Sequence, residues 1–198
     1  GNTGYGILVN RSTVEATGLT TSGNGWGGVN VDANGSGSAS FTMNSGSIAE
    51  DASVVIEGDA GDTTETTING GTLDGVGTWS QDNQSYTGKL TINGGTIGGH
   101  LTLAVGGGTI EVTAGNFTYN NAEQQMIVIP DTASGTITIS GGTFAWQTAQ
   151  RFCMENKNKL ILTGGTFSSD PTSYVATGYT ATKNESAGTW TVSADPES

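Results

Sequence analysis

Apolar and polar residues alternate along this chain in short bursts, and the bursts repeat. Phe41-Thr-Met-Asn-Ser-Gly-Ser-Ile48 is followed by Thr66-Thr-Ile-Asn-Gly-Gly-Thr-Leu73, Leu90-Thr-Ile-Asn-Gly-Gly-Thr-Ile97, Ile110-Glu-Val-Thr-Ala-Gly-Asn-Phe117, Ile137-Thr-Ile-Ser-Gly-Gly-Thr-Phe144 and Leu160-Ile-Leu-Thr-Gly-Gly-Thr-Phe167. Each phrase has the period of two that a strand requires, then a glycine corner, then one further apolar residue. Met43, Ile68, Ile92, Val112, Ile139 and Leu162 follow one another at 25, 24, 20, 27 and 23 residues. Strands recurring at that period predict a solenoid.

Between the phrases runs a second strand family: Gly6–Asn10, Gly28–Asp32, Ser53–Glu57, His100–Leu103, Gln125–Val128 and Arg151–Glu155. If like strands stack on one another at about 4.8 Å per coil, roughly eight coils make a rod about 40 Å long. Inward ladders then run Met43, Ile68, Ile92, Val112, Ile139, Leu162 and Val29, Val54, Leu101, Met126, Phe152. Asn44, Asn69, Asn93, Thr113, Ser140 and Thr163 form an outward polar ladder beside the corner. Gly70, Gly94, Gly141 and Gly164 are expected to supply the unusual backbone conformation there.

The expected fold is therefore all-β: a single-stranded right-handed parallel β-helix over residues 1–167, closed by a C-terminal capping segment over 168–198. Asp170 can cap a short helix begun by Pro171, and Tyr179–Lys183 with Gly188–Val192 read as an antiparallel hairpin. Tyr179 and Trp190 are expected to cover the open end of the core. The first residues read as mid-fold, so the sequence is expected to be an excised segment.

Composition agrees with this and removes other classes. The 33 Gly and 32 Thr in 198 residues exclude a helical bundle. A net charge of −12 argues against nucleic acid and anionic lipid as partners, and no apolar run is long enough to insert directly into a membrane. The lone Cys153 cannot form an internal disulfide and reads as a small buried hydrophobe.

Gly6-Ile-Leu-Val-Asn-Arg-Ser-Thr-Val14, Gly18 and Gly25-Trp-Gly-Gly-Val-Asn-Val-Asp32 resemble the repeats of the pectate-lyase-like superfamily of right-handed parallel β-helices. The ending, Gly164-Gly-Thr-Phe-Ser-Ser-Asp-Pro-Thr-Ser-Tyr-Val-Ala-Thr-Gly-Tyr-Thr-Ala181 with Gly188–Val192, resembles the terminal segment of large β-helical surface proteins of Gram-positive gut bacteria. The resemblance implies an extracellular, cell-surface location. That superfamily holds lyases, hydrolases, esterases, adhesins and spacers alike, so it implies no particular activity.

Chemistry is sparse. Glu50, Asp51, Glu57, Asp59 and Asp62 form the strongest acidic cluster, but Arg11 and Lys89 are the nearest bases. Lyases of the resembled fold pair carboxylate-bound Ca²⁺ with a basic proton acceptor. Solvated loop carboxylates are the plainer reading, with weak Ca²⁺ capture by Asp51, Asp59 and Asp62 as the candidate metal function and no other cofactor expected. His100 is the one histidine, so neither a Ser/His/Asp set nor a zinc site is expected, and Asp32, Asp74 and Asp82 show no hydrolase pairing. Catalytic residues are therefore expected to be absent.

Binding features are richer. Aligning the second family places Leu8, Asn30, Val55, Thr102, Ile127 and Cys153 on its outer face, and the aliphatic members Leu8, Val55 and Ile127 mark a candidate partner surface. Trp26, Trp79, Tyr86, Tyr119 and Trp146 sit in or beside loops, where rings can stack on sugars or protein partners. A threonine column through Thr42, Thr67, Thr91, Glu111, Thr138, Ile161 and Thr191 is broken by its charged and aliphatic members, and β-propensity explains it. The reading is a non-catalytic extracellular β-helix domain of a bacterial surface protein, presenting a face for adhesion to host or neighbour-cell glycans or proteins. The alternatives are a fragment or relative of a polysaccharide lyase or hydrolase, and a passive stalk.

Overall fold

Each copy of the repeated phrase folds as a strand, a glycine-containing corner (Gly-Gly in four of the six copies) and a second strand, and each copy lies against the next in parallel. The computed structural model describes residues 2–35, 37–80, 86–103, 107–119, 125–131, 133–145 and 157–197. Thr13–Ala16, Gly37–Met43, Asp62–Ile68, Tyr86–Ile92, Gly107–Val112, Thr136–Ile139 and Leu160–Leu162 form a seven-stranded sheet, one strand per coil. The described stack is thus shorter than the eight coils expected. The corner and second-family strands, together with two strands near the C-terminus, make up the other sheet, of 13 strands. The fold is a β-solenoid.

Register follows the inward apolar positions. Met43 pairs with Ile68, Ile68 with Ile92, Ile92 with Val112, Val112 with Ile139 and Ile139 with Leu162, all buried. Each such side chain stabilises the stack by roughly 1.5–3 kcal/mol. Past the corner a second ladder runs Ile48, Leu73, Ile97, Phe117, Phe144, Phe167. Its three phenylalanines stack with centroids 4.5 and 5.1 Å apart and planes within 12°.

The other expected ladder needs correction. Val29 pairs with Val54, Val54 with Val76, Val76 with Leu101, and Leu101 with Ile127. Val76 had been missed because its strand, Thr72–Ser80, carries Gly75 and Gly77 where alternation would show side chains. Met126 is buried but does not face Leu101, while Ile127 points into the core and is fully buried rather than lying on the outer face. Met126 and Ile127 are both apolar, so alternation gives no direction there, and the register differs by one residue. Phe152 and Cys153 lie outside the described residues.

The glycine pairs divide their work differently from the expectation. The second glycine, Gly71, Gly95, Gly142 or Gly165, holds the positive φ of about 90–105°. The first is required for close approach: a β-carbon on Gly141 or Gly164 would lie 2.0 Å from the carbonyl oxygen of Thr113 or Ser140 on the preceding coil.

Beside the corner the polar ladder forms in part. Asn93 Nδ2 donates to Asn69 Oδ1, Asn69 Nδ2 to Asn44 Oδ1, and Asn44 Nδ2 to Glu15 Oε1. Thr113 Oγ1 extends the row by donating to Asn93 Oδ1, whereas Ser140 and Thr163 turn to the carbonyls of Val112 and Ile139.

At the C-terminal end Asp170 Oδ1 accepts the Thr172 N–H (2.9 Å) before the short 3₁₀ turn Thr172–Tyr174. Tyr179–Asn184 and Thr189–Ala194 pair as an antiparallel hairpin, and Thr189–Ala194 lies antiparallel on Thr166–Phe167 with Trp190 opposite Phe167. Trp190, Val192, Ala181, Tyr174 and Val175 pack on the core, whereas Tyr179 is exposed and does not cover it. Thr191 pairs with Thr166 and so is not in the column running from Thr42 to Ile161.

Candidate functional site

The outer face of the 13-stranded sheet is not a continuous apolar stripe. Across it the register runs Leu8, Asn30, Val55, Gly77, Thr102, Val128. Leu8 is 61% exposed, Asn30 is buried and Val55 half-buried; Val128 takes the place assigned to Ile127. The two glycines in Thr72–Ser80 leave the middle of the face without side chains. A groove of about 460 Å³ opens there, floored by Val55, Gly77 and Thr102.

Aromatic rings line this groove. Trp26 and Trp79, 69% and 49% exposed, both border it, and Tyr5 meets Trp26 edge to face with centroids 6.0 Å apart. Trp79 extends from the end of Thr72–Ser80, where it pairs with Glu57. Trp26 sits on the loop between Leu19–Thr21 and Gly27–Asp32, which is held by hydrogen bonds to neighbouring segments. Buried Glu50 accepts from Thr21 Oγ1 (2.7 Å), Asn24 Nδ2 (2.6 Å) and the Asn24 N–H (3.3 Å). Gly25 and Trp26 donate their N–H groups to Asn2 and Gly4 carbonyls. A rigid loop thus holds an exposed indole, which lowers the entropy cost of stacking a ligand on it.

Asp51, Glu57, Thr78 and His100 line the groove, and no Lys or Arg does among the described residues. Glu57 accepts from Asn30 Nδ2 (2.8 Å). Burial pushes its carboxyl above the ordinary value, and Asp32, Asp59 and Asp62 push it further, against the pull of Asn30. The Tyr5 phenol is raised by burial and then by the Glu57 charge. His100 Nδ1 lies 2.8 Å from the Gln125 carbonyl oxygen, which only accepts, so Nδ1 carries the proton and Nε2 faces the Tyr119 hydroxyl at 3.1 Å. Tyr119 is thereby a partly buried partner of His100 rather than a free ring.

Of the aromatic candidates the structure therefore brings Trp26 and Trp79 together and adds Tyr5, which sequence reasoning had passed over. Trp146 lies outside the described residues, and Tyr86 is described only as part of its strand's backbone. The acidic candidates separate. Asp51 belongs to the groove, whereas Asp59 and Asp62 lie at another corner with Asp32, a residue that sequence reasoning had left unpaired. Burial raises the Asp32 carboxyl, opposed by the Asn34 N–H and reinforced by repulsion from Asp62 and Asp59. Among the described residues no helix is long and apolar enough to cross a membrane.

The chain matches no family model, and no curated protein or solved structure is significantly similar to it.

Proposed function

We propose that this chain is a non-catalytic β-helix domain of an extracellular bacterial surface protein, and that it adheres to neutral glycans through the groove between Trp26 and Trp79. The observation that carries the reading is the pair of exposed indoles bordering one side-chain-poor floor. Indole faces stack on the C–H faces of pyranose rings, and Asp51, Glu57 and Thr78 supply hydrogen-bonding partners to sugar hydroxyls. The carboxylates Asp51 and Glu57 repel uronates and sulfated sugars, which favours neutral glycans over the acidic polysaccharides that a lyase relative would require. Surface display and kinship with β-helical proteins of Gram-positive gut bacteria rest on the resemblance of the repeats and the terminal segment.

A glycan array probed in parallel with a pull-down from mucus and serum tests the proposal. Retention of neutral glycans on the array is the expected result. Capture of a protein alone would replace the glycan with a protein partner, and no capture in either format would leave a stalk.

A further inference from the structure

A second site lies at the corner where the chain passes into the seven-stranded sheet. Asp32 ends the strand Gly27–Asp32, while Asp59 follows Gly46–Gly58 and Asp62 opens Asp62–Ile68 one coil further on. One carboxylate oxygen from each of these three residues lies within 4.8 Å of the other two.

Asp62 is only 2% exposed. Its Oδ2 accepts the N–H groups of Asp59 (3.0 Å) and Gly35 (3.4 Å), but Oδ1 has no hydrogen-bond partner. Asp32 Oδ1 accepts the Asn34 N–H at 2.7 Å. Arg11 is close by, yet its guanidinium donates to the carbonyls of Ala33 (2.9 Å) and Asn34 (2.8 Å). Two further acidic groups thus converge on a buried carboxylate with an unsatisfied oxygen, an arrangement unfavourable for the anion unless a cation joins it.

We propose that Asp32, Asp59 and Asp62 form a Ca²⁺ site that clamps the loop after Asp32 to the loop carrying Asp59 on the next coil. Ca²⁺ takes oxygen ligands at about 2.3–2.6 Å, so two oxygens on one ion stand at most about 4.6–5.2 Å apart, which accommodates the observed spread. Carbonyl oxygens and water would complete the shell, as Ca²⁺ tolerates irregular coordination. The site is separate from the groove, although the charges of Asp32, Asp59 and Asp62 reach the groove carboxylate Glu57.

Calorimetric titration of CaCl₂ into chelator-stripped protein, with thermal unfolding in parallel, tests this. One saturable site is expected with a Kd on the order of 0.1–1 mM, the range of extracellular Ca²⁺ modules, and a melting temperature that rises with Ca²⁺. Asp62→Asn should abolish both effects, and Asp51→Asn, in the groove, should change neither. If Asp62→Asn does not fold, Asp59→Asn, at a half-buried loop position, decides by weakening binding about tenfold or more. No saturable heat in the wild type, or Ca²⁺ binding undiminished in Asp59→Asn and Asp62→Asn, would overturn the proposal.

Discussion

Gly77 and Thr102 are register partners on adjacent coils, and a β-carbon on Gly77 would lie 2.5 Å from the Thr102 carbonyl oxygen. The floor of the groove is therefore flat because the backbones leave no room for a side chain. Gly77→Ala should destabilise the fold by about 1–3 kcal/mol through overpacking. Urea denaturation measures this, and a midpoint equal to wild type would show that the coils spread freely to admit a methyl group.

Among the described residues, two buried hydroxyls inside the solenoid lack partners. Thr64 and Thr66 point inward from Asp62–Ile68, and Thr66 stacks between Phe41 and Leu90. Thr66→Val keeps the shape and removes a buried polar group with no hydrogen bond, so it should stabilise by on the order of 1 kcal/mol. A lower denaturation midpoint in the valine variant would contradict the inward placement.

Tyr5 provides a pH signature of the groove. Its phenol is raised by burial and by Glu57, so the folded state holds the proton more tightly than the unfolded chain. The stability it contributes is fully present below the unfolded tyrosine value of about 10 and is lost as pH rises through the higher folded value. Tyr5→Phe should therefore flatten the alkaline fall in stability, and Glu57→Gln should move the phenolate transition that Tyr5→Phe removes from the ultraviolet titration to lower pH. An unchanged titration in Glu57→Gln would separate the two groups.

The seven-stranded sheet was legible because its repeated phrases place an apolar residue two before each glycine-containing corner, which pins register from Met43 to Leu162. The roles within each glycine pair were not, since sequence shows a need for glycine but not whether φ or a neighbouring carbonyl creates it. Ile127 was misplaced because adjacent apolar residues, Met126 and Ile127, satisfy either register. The groove was half legible: Trp26 and Trp79 stood out as loop aromatics, but only the stacking of coils brings them to one floor. Asp32 was not legible as a partner of Asp59 and Asp62, because only the stacking of coils brings it beside residues one coil later in the chain. Tyr5 carried no signal beyond being aromatic beside a strand.

The central claim is that Trp26 and Trp79 jointly hold a neutral glycan, and tryptophan fluorescence titration with neutral gluco-, galacto- and manno-oligosaccharides tests it most directly. The account predicts saturable quenching or a blue shift with at least one of them, weakened about tenfold by Trp26→Ala and by Trp79→Ala, the loss of one aromatic stacking contact. No saturable response to any of the sugars, or binding that survives both substitutions unchanged, would contradict it.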